Sequence, residues 1–337
     1  MKTINTEEFS NKLREKAIKI SDKRILITNY HGTEQEKDLH EAANCNGFGR
    51  VRHFKLNTGN DWPLNPLPIV PAQKYLGLSG LSEFNAQVFQ NSICNWRCWY
   101  CYVDFKLLNG DSRYSSYLTC GDLLDMYQAE ELKAPMIDLS GGQPDLTPEW
   151  IPWMMEELKS RNLDDKIFLW SDDNLSNDFF WKFLSQNDID VISSYKMYAR
   201  VCCFKGIDEQ SFHINTKADP KLFYNQIELF KRLWELDIDL YAYITLTAPK
   251  ETDFESTIPR FLDLVQKISD DVPLKIIPLR IFDFFTPVQS RNDVDKQSLL
   301  TGQMKAIEVW QKEINNRFSS TKRSLPIYTF RKTKQII

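Results

Sequence analysis

At 337 residues the chain is long enough to bury a sizeable core, as one large α/β domain or two ordinary ones. Its formal net charge of −4 supplies no strong basic field, so nucleic acid is not an expected partner. No apolar run approaches the roughly 20 residues of a membrane span. The start, Met1 to Glu8, is polar and acidic with no apolar signal region behind it, so a soluble cytoplasmic protein with no membrane partner is expected.

Residues 1–83 read as an N-terminal extension of unknown role. A charged helix is expected over 2–23 and a short strand over 25–28. Residues 57–71, crowded with Asn, Gly and Pro, suit an extended connection wrapped on the main domain. From 84 to 290 short apolar runs alternate with longer amphipathic stretches, and strands are expected over 85–90, 136–139, 166–170, 200–204, 240–246 and 274–281. The helices between them have legible starts. Thr119 and Asp122 have capping-box spacing, Thr147-Pro148-Glu149 offers an N-cap followed by proline and an acid, and Asp219-Pro220 repeats the device. The helix that follows, over 222–236, lines up Phe223, Ile227, Phe230 and Trp234 on one stripe. Residues 291–337 complete the chain with a helix over 293–316 and a basic tail carrying Arg317, Lys322, Arg323, Arg331, Lys332 and Lys334.

Strand–helix units in series imply parallel strands with helices outside them. The strand candidates are too few for a closed eightfold barrel. The expected fold is therefore α/β, an open, partial (βα)6 barrel spanning 84–290 with the N-terminal extension and C-terminal helix added. Ligands in such arrays sit at the carboxyl ends of the strands, and the open side would admit a large substrate edge-on.

Three cysteines, Cys94, Cys98 and Cys101, fall in the run Cys94-Asn95-Trp96-Arg97-Cys98-Trp99-Tyr100-Cys101, just after the first of these strands. Cys45, Cys120, Cys202 and Cys203 are irregularly spaced, so reduced thiolates kept for a metal are expected rather than a disulfide framework. Soft thiolates suit zinc or an iron–sulfur cluster. Structural zinc wants four protein ligands, usually in two pairs; Cys202 and Cys203 are adjacent, and His31, His40, His53 and His213 show no ligand spacing. Three thiolates can hold a cubane cluster while leaving one iron free of protein, and a small molecule can bind there. The competing readings are a zinc-stabilised binding module completed by a distant ligand, or an iron–sulfur electron carrier or redox sensor, which would want a fourth cysteine.

Cys94-x3-Cys98-x2-Cys101, with Tyr100 before the last cysteine, resembles the cluster motif of the radical S-adenosylmethionine (radical SAM) superfamily. The resemblance implies one 4Fe–4S cluster on Cys94, Cys98 and Cys101, with S-adenosylmethionine chelating the open iron and Tyr100 packing on its adenine. It also implies an external one-electron donor such as flavodoxin or ferredoxin. Ser140-Gly141-Gly142-Gln143-Pro144 is similar to the family's Gly-Gly-Glu-Pro motif, which holds the amino group of the cofactor. Gly141, Gly142 and Gln143 are thus expected cofactor contacts, with Gln143 standing where Glu is usual. The glycines are expected because the cofactor comes too close to the main chain for a Cβ.

Phe204-Lys205-Gly206-Ile207-Asp208 resembles a segment of the glycyl-radical-enzyme activases, the pyruvate formate-lyase activating type, which puts Lys205 in the cofactor site; Cys203 replaces the subgroup's leading acid. Trp170-Ser171-Asp172-Asp173-Asn174 occupies the place of another polar run of that subgroup, making Ser171 and Asp172 partners for ribose hydroxyls or a cation. Arg280, on a segment similar to the family's last barrel strand, is a candidate to face the cavity. The implied activity is reductive cleavage of S-adenosylmethionine to a 5′-deoxyadenosyl radical that takes hydrogen from a substrate. The activase likeness favours a protein or peptide; a small molecule or nucleic acid is the alternative.

Overall fold

The computed structural model describes residues 3–330. In chain order its strands are β1 (Ile18–Lys19), β2 (Arg24–Thr28), β3 (Gly49–Lys55), β4 (Glu83–Gln90), β5 (Ser115–Thr119), β6 (Met136–Ser140), β7 (Phe168–Asp173), β8 (Tyr198–Phe204), β9 (Asp239–Thr245) and β10 (Ile276–Leu279). A small antiparallel sheet runs β1-β2-β5, and a curled seven-stranded sheet runs β10-β9-β8-β7-β6-β4-β3, open between its two edges. From β4 to β10 neighbouring strands of the large sheet are parallel. β3 closes one edge antiparallel to β4, in register from Gly49↔Phe89 to Lys55↔Glu83.

Each strand expected from the apolar runs is present. β3 was not expected, because Gly-Arg-Val-Arg-His-Phe-Lys carries too little apolar surface to stand out; its pairing with β4 overrides propensity. β7 runs on through Ser171, Asp172 and Asp173, beyond the end at 170 expected from the apolar run. Side chains alternate across each strand. Met136, Phe168, Trp170, Ala199, Val201, Tyr241 and Tyr243 therefore share the inner face with Leu67, Ile69 and Ala72. Ile137, Leu139, Leu169, Phe204, Leu240 and Ile244 face the helices.

The Thr119–Asp122 capping box forms at the head of the Cys120–Ala129 helix. The expected cap at Thr147 does not: the following helix is Trp150–Ser160, and the Thr147 hydroxyl instead bonds Pro144 O at 3.3 Å and accepts from Asn91 Nδ2 at 2.9 Å. Asp219 accepts from Lys221 N at 2.9 Å, one turn ahead of the Leu222–Trp234 helix.

After β3 the chain crosses to the opposite edge of the sheet. Trp62 Nε1 donates to Pro278 O at 3.0 Å, Arg280 grips Asp61 through two hydrogen bonds of 2.6 and 2.9 Å, and Tyr243 donates to Leu67 O at 3.0 Å. The Ile69–Leu76 helix then packs on the inner face, where Tyr75 stacks on Phe168 at 5.0 Å. This strap corrects one expectation: Arg280 serves the strap rather than the cavity.

The Lys296–Arg317 helix packs against the Phe254–Gln266 helix. Arg317 is paired with Asp263 and Glu313, and Lys322 with Asp271, so these tail cations are locally neutralised. Arg331, Lys332 and Lys334 lie outside the described residues. Among the described residues no helix is long and apolar enough to cross a membrane.

Candidate active site

The cysteine loop leaves the carboxyl end of β4, and two tryptophans between the cysteines anchor it. Trp96 donates to Thr6 Oγ1 at 3.2 Å and meets Phe212 edge-on; Trp99 donates to Asn215 Oδ1 at 2.9 Å. Backbone bonds from Arg97 N to Thr216 O and from Trp99 N to Asn215 O hold the loop to the end of the Glu209–Thr216 helix. Both indoles are almost fully buried, so the loop is locked by its apolar residues while its sulfurs remain free of disulfides. Cys94 and Cys98 are buried and Cys101 is partly exposed. Burial pushes the Cys98 thiol up to about 12 and raises that of Cys94, with Lys205 pulling both back and Arg97 also acting on Cys94. Asn174 Nδ2 lies 3.8 Å from Cys94 Sγ. Cys120 sits elsewhere, buried with its sulfur 3.9 Å from Trp150 O.

Among the described residues no group of three His, Cys, Asp or Glu side chains is gathered as one metal ion requires. Four-coordinate zinc at about 2.3 Å from each thiolate would need sulfurs within about 4 Å of one another. A cluster, in which each thiolate binds its own iron, places no such demand on the sulfurs. The surroundings suit one: three soft donors stand on one loop with the positive charges of Arg97, Arg291 and Lys205 acting on them, as an anionic metal–thiolate group needs.

The glycine turn follows β6. Gly141 has φ +69° and Gly142 φ +59°, the left-handed region. A Cβ on Gly142 would come under 3.0 Å from the backbone oxygens of Asn91 and Ile93, and one on Gly141 would meet the Gln90 side chain as closely. Crowding from the chain's own β4 end and cysteine loop thus already calls for glycine here, beside the close approach expected of a cofactor. Gln143 N then donates to Ile93 O at 2.7 Å, fastening the two loops together.

The Gln143 side chain is buried in a network of its own. Its Nε2 donates to Asp173 Oδ1 at 2.7 Å and its Oε1 accepts from Asn174 N at 2.9 Å. Asp173 is also paired with Arg200 at 2.9 Å, and Arg200 with Asp145. An amide supplies both the donor and the acceptor needed here; a glutamate would set two carboxylates face to face. Gln143→Glu is therefore expected to cost about 1–3 kcal/mol at neutral pH, read as a lowered urea midpoint with unchanged m-value.

Because β7 is regular through Asp173, Ser171 and Asp172 fall on opposite faces. Ser171 is fully buried with its hydroxyl 2.6 Å from Tyr198 OH, away from the other candidates. Asp172 is partly exposed on the inner face, where it accepts from Ser140 Oγ and from Trp170 Nε1 at 3.2 Å. Burial raises its carboxyl, while Arg52, the Ser140 hydrogen bond and Lys205 draw it down. Beside it Asp138 is wholly buried, with both oxygens lacking a hydrogen-bond partner among the described residues and Arg52 Nη1 at 3.9 Å.

Lys205 is held through its backbone by Gln226 Oε1 at 3.1 Å and Asn215 Nδ2 at 2.8 Å. Its ammonium lies 6.0 Å from the Tyr100 ring, and Tyr100 OH reaches Thr245 Oγ1 at 3.4 Å. The structure thus brings Cys94, Cys98, Cys101, Tyr100, Gly141, Gly142, Asp172 and Lys205 to one end of the sheet and leaves Ser171 and the Gln143 side chain out. Sequence reasoning missed Arg52, Asn215, Gln226 and Arg291. Asn174 alone gave a signal, standing in a polar run already singled out.

No family model matches the chain, and no curated protein matches it. Among solved structures it is similar to Streptococcus suis SuiB bound to S-adenosylmethionine, at 14% identity and TM-score 0.44 over 69% of this chain and 47% of that one. SuiB bound to precursor peptide SuiA gives 13% and 0.43 over 68% and 46%. Histidine-tagged anSMEcpe with bound AdoMet gives 14% and 0.41 over 67% and 57%. The chain spans about half the length of the solved structures it matches. Likeness this distant leaves the function to rest on the site itself.

Proposed function

We propose that this chain is a radical SAM enzyme that removes a hydrogen atom from a substrate held at the carboxyl ends of the parallel strands. The observation that carries the reading is one loop of three cysteines, two of them buried, locked by Trp96 and Trp99 and fastened to a left-handed Gly-Gly turn at the end of the adjacent strand. Cys94, Cys98 and Cys101 would hold a 4Fe–4S cluster. When bound, that group supplies an electron to the sulfonium of S-adenosylmethionine, and the 5′-deoxyadenosyl radical so released takes the hydrogen.

The chain's own residues bind, orient and keep the interior dry. The partly exposed main chain of Gly141 and Gly142 offers carbonyl oxygens that can accept from the cofactor's amino group. Tyr100 presents an apolar ring for the adenine, and Asp172 presents a carboxylate for ribose hydroxyls. Lys205 contributes a fixed positive charge between the thiols and Tyr100. The inner wall, with Phe168, Trp170, Tyr241 and Tyr243, shields a reactive carbon radical from water. For substrate we put forward a protein or peptide, on the likeness of the Lys205 segment to the glycyl-radical activases.

Anaerobic reconstitution with iron and sulfide tests the reading. A brown protein that converts S-adenosylmethionine to 5′-deoxyadenosine and methionine under a strong reductant is the expected result. A colourless protein that retains zinc and yields no 5′-deoxyadenosine would remove it.

A further inference from the structure

We infer that Arg291 is a positioning residue, a latch through which the C-terminal segment fixes the shape of the cysteine loop and adds positive charge beside whatever the loop holds; the second half of this inference rests on the reading above. The Arg291 guanidinium collects four main-chain carbonyls. Nη1 donates to Cys98 O at 3.3 Å, to Trp99 O at 3.1 Å and to Cys101 O, and Nη2 donates to Val103 O at 2.7 Å. Its plane also covers Phe105, with Cζ 3.8 Å from the ring centroid. Converging carbonyls repel one another, and a planar cation with five donors relieves that repulsion in a way a lysine cannot.

Arg97 takes the other half of the loop, donating to Cys94 O at 2.5 Å and Trp96 O at 2.8 Å. The two guanidiniums therefore share the carbonyls of Cys94, Trp96, Cys98, Trp99 and Cys101 between them. Asp293 forms its ion pair with Lys217, and its charge and that of Asp104 act on the Arg291 guanidinium only at longer range. Nor is the segment loose. Thr286 is tied to Asp38 through N at 3.1 Å and Oγ1 at 2.9 Å, Lys296 caps Val288 O at 2.8 Å, and Ile281 N bonds Gln303 at 2.8 Å. A site formed early in the chain is thus completed by a residue close to the far end.

Two variants separate geometry from charge: Arg291→Lys keeps the charge and loses the fork, and Arg291→Gln loses both. In the metal-free full chain, hydrogen exchange of the amides of residues 98–104 is expected to speed up by roughly tenfold or more in both variants, the loss of several charge-assisted bonds being shared over a local opening. Arg113→Gln, an exposed arginine of the same loop region paired with Asp111, serves as the control and should leave those amides unchanged. In reconstituted protein the cluster's midpoint potential should move negative in Arg291→Gln and stay near the wild type in Arg291→Lys. Exchange within about twofold of wild type in both variants would overturn the latch. A potential unmoved by Arg291→Gln would overturn the charge effect. Should the wild type itself take up no iron, the proposed function fails, while the exchange result still decides the latch.

Discussion

Cys98→Ala will leave the protein unable to retain iron and will reduce S-adenosylmethionine cleavage to background, while Cys120→Ala will leave both intact. The contrast is sharp because both sulfurs are buried, so burial alone does not tell them apart. Cys98 is the central member of the proposed ligand run, with the Lys205 charge acting on its thiol. Cys120 opens a helix on the helix-covered side, its sulfur directed to Trp150 O. Losing one of three thiolates strips an iron of its protein ligand, and metal affinity falls with it. Iron and sulfide per chain after anaerobic reconstitution, with 5′-deoxyadenosine measured by chromatography, gives the answer. Iron lost from Cys120→Ala and kept by Cys98→Ala would show that the ligand set is misassigned.

Gly142→Ala should destabilise the protein by about 2–4 kcal/mol, well beyond the roughly 1 kcal/mol that a left-handed backbone alone imposes on alanine. The added methyl would press on the carbonyls of Asn91 and Ile93, which are backbone atoms and cannot swing aside. Relief would have to come from the cysteine loop moving, so iron retention should fall together with stability. Gly77→Ala is the internal standard: its φ is +66°, and a Cβ there meets nothing within 4 Å. Urea unfolding of both variants tests the difference. Equal losses would mean that the two loops are not packed as described.

Apolar runs made the parallel strands legible, and turn chemistry made one helix start legible, because both signals are local. β3 was hidden because its charged residues, Arg50 and Arg52, point into the sheet's interior, where Asp138 and Tyr102 answer them. That environment is made by strands far away in sequence. Ser171 and Asp172 were hard to tell apart for a related reason: the strand outlasts its apolar run, and regular alternation then buries one polar residue and offers the next. At the site, the cysteine spacing was plain because a single loop carries it. The carbonyl clamp of Arg291 was not, since its acceptors lie about 190 residues away and no local pattern marks them. Gln143 shows the middle case, a departure from a motif visible in sequence whose physical reason, the facing Asp173, needed the fold.

The strap that buttons Asp61 to Arg280 and Trp62 to Pro278 turns a half-pipe into something closer to a ring. One segment therefore laces the two margins of the sheet together, as a drawstring does a pouch.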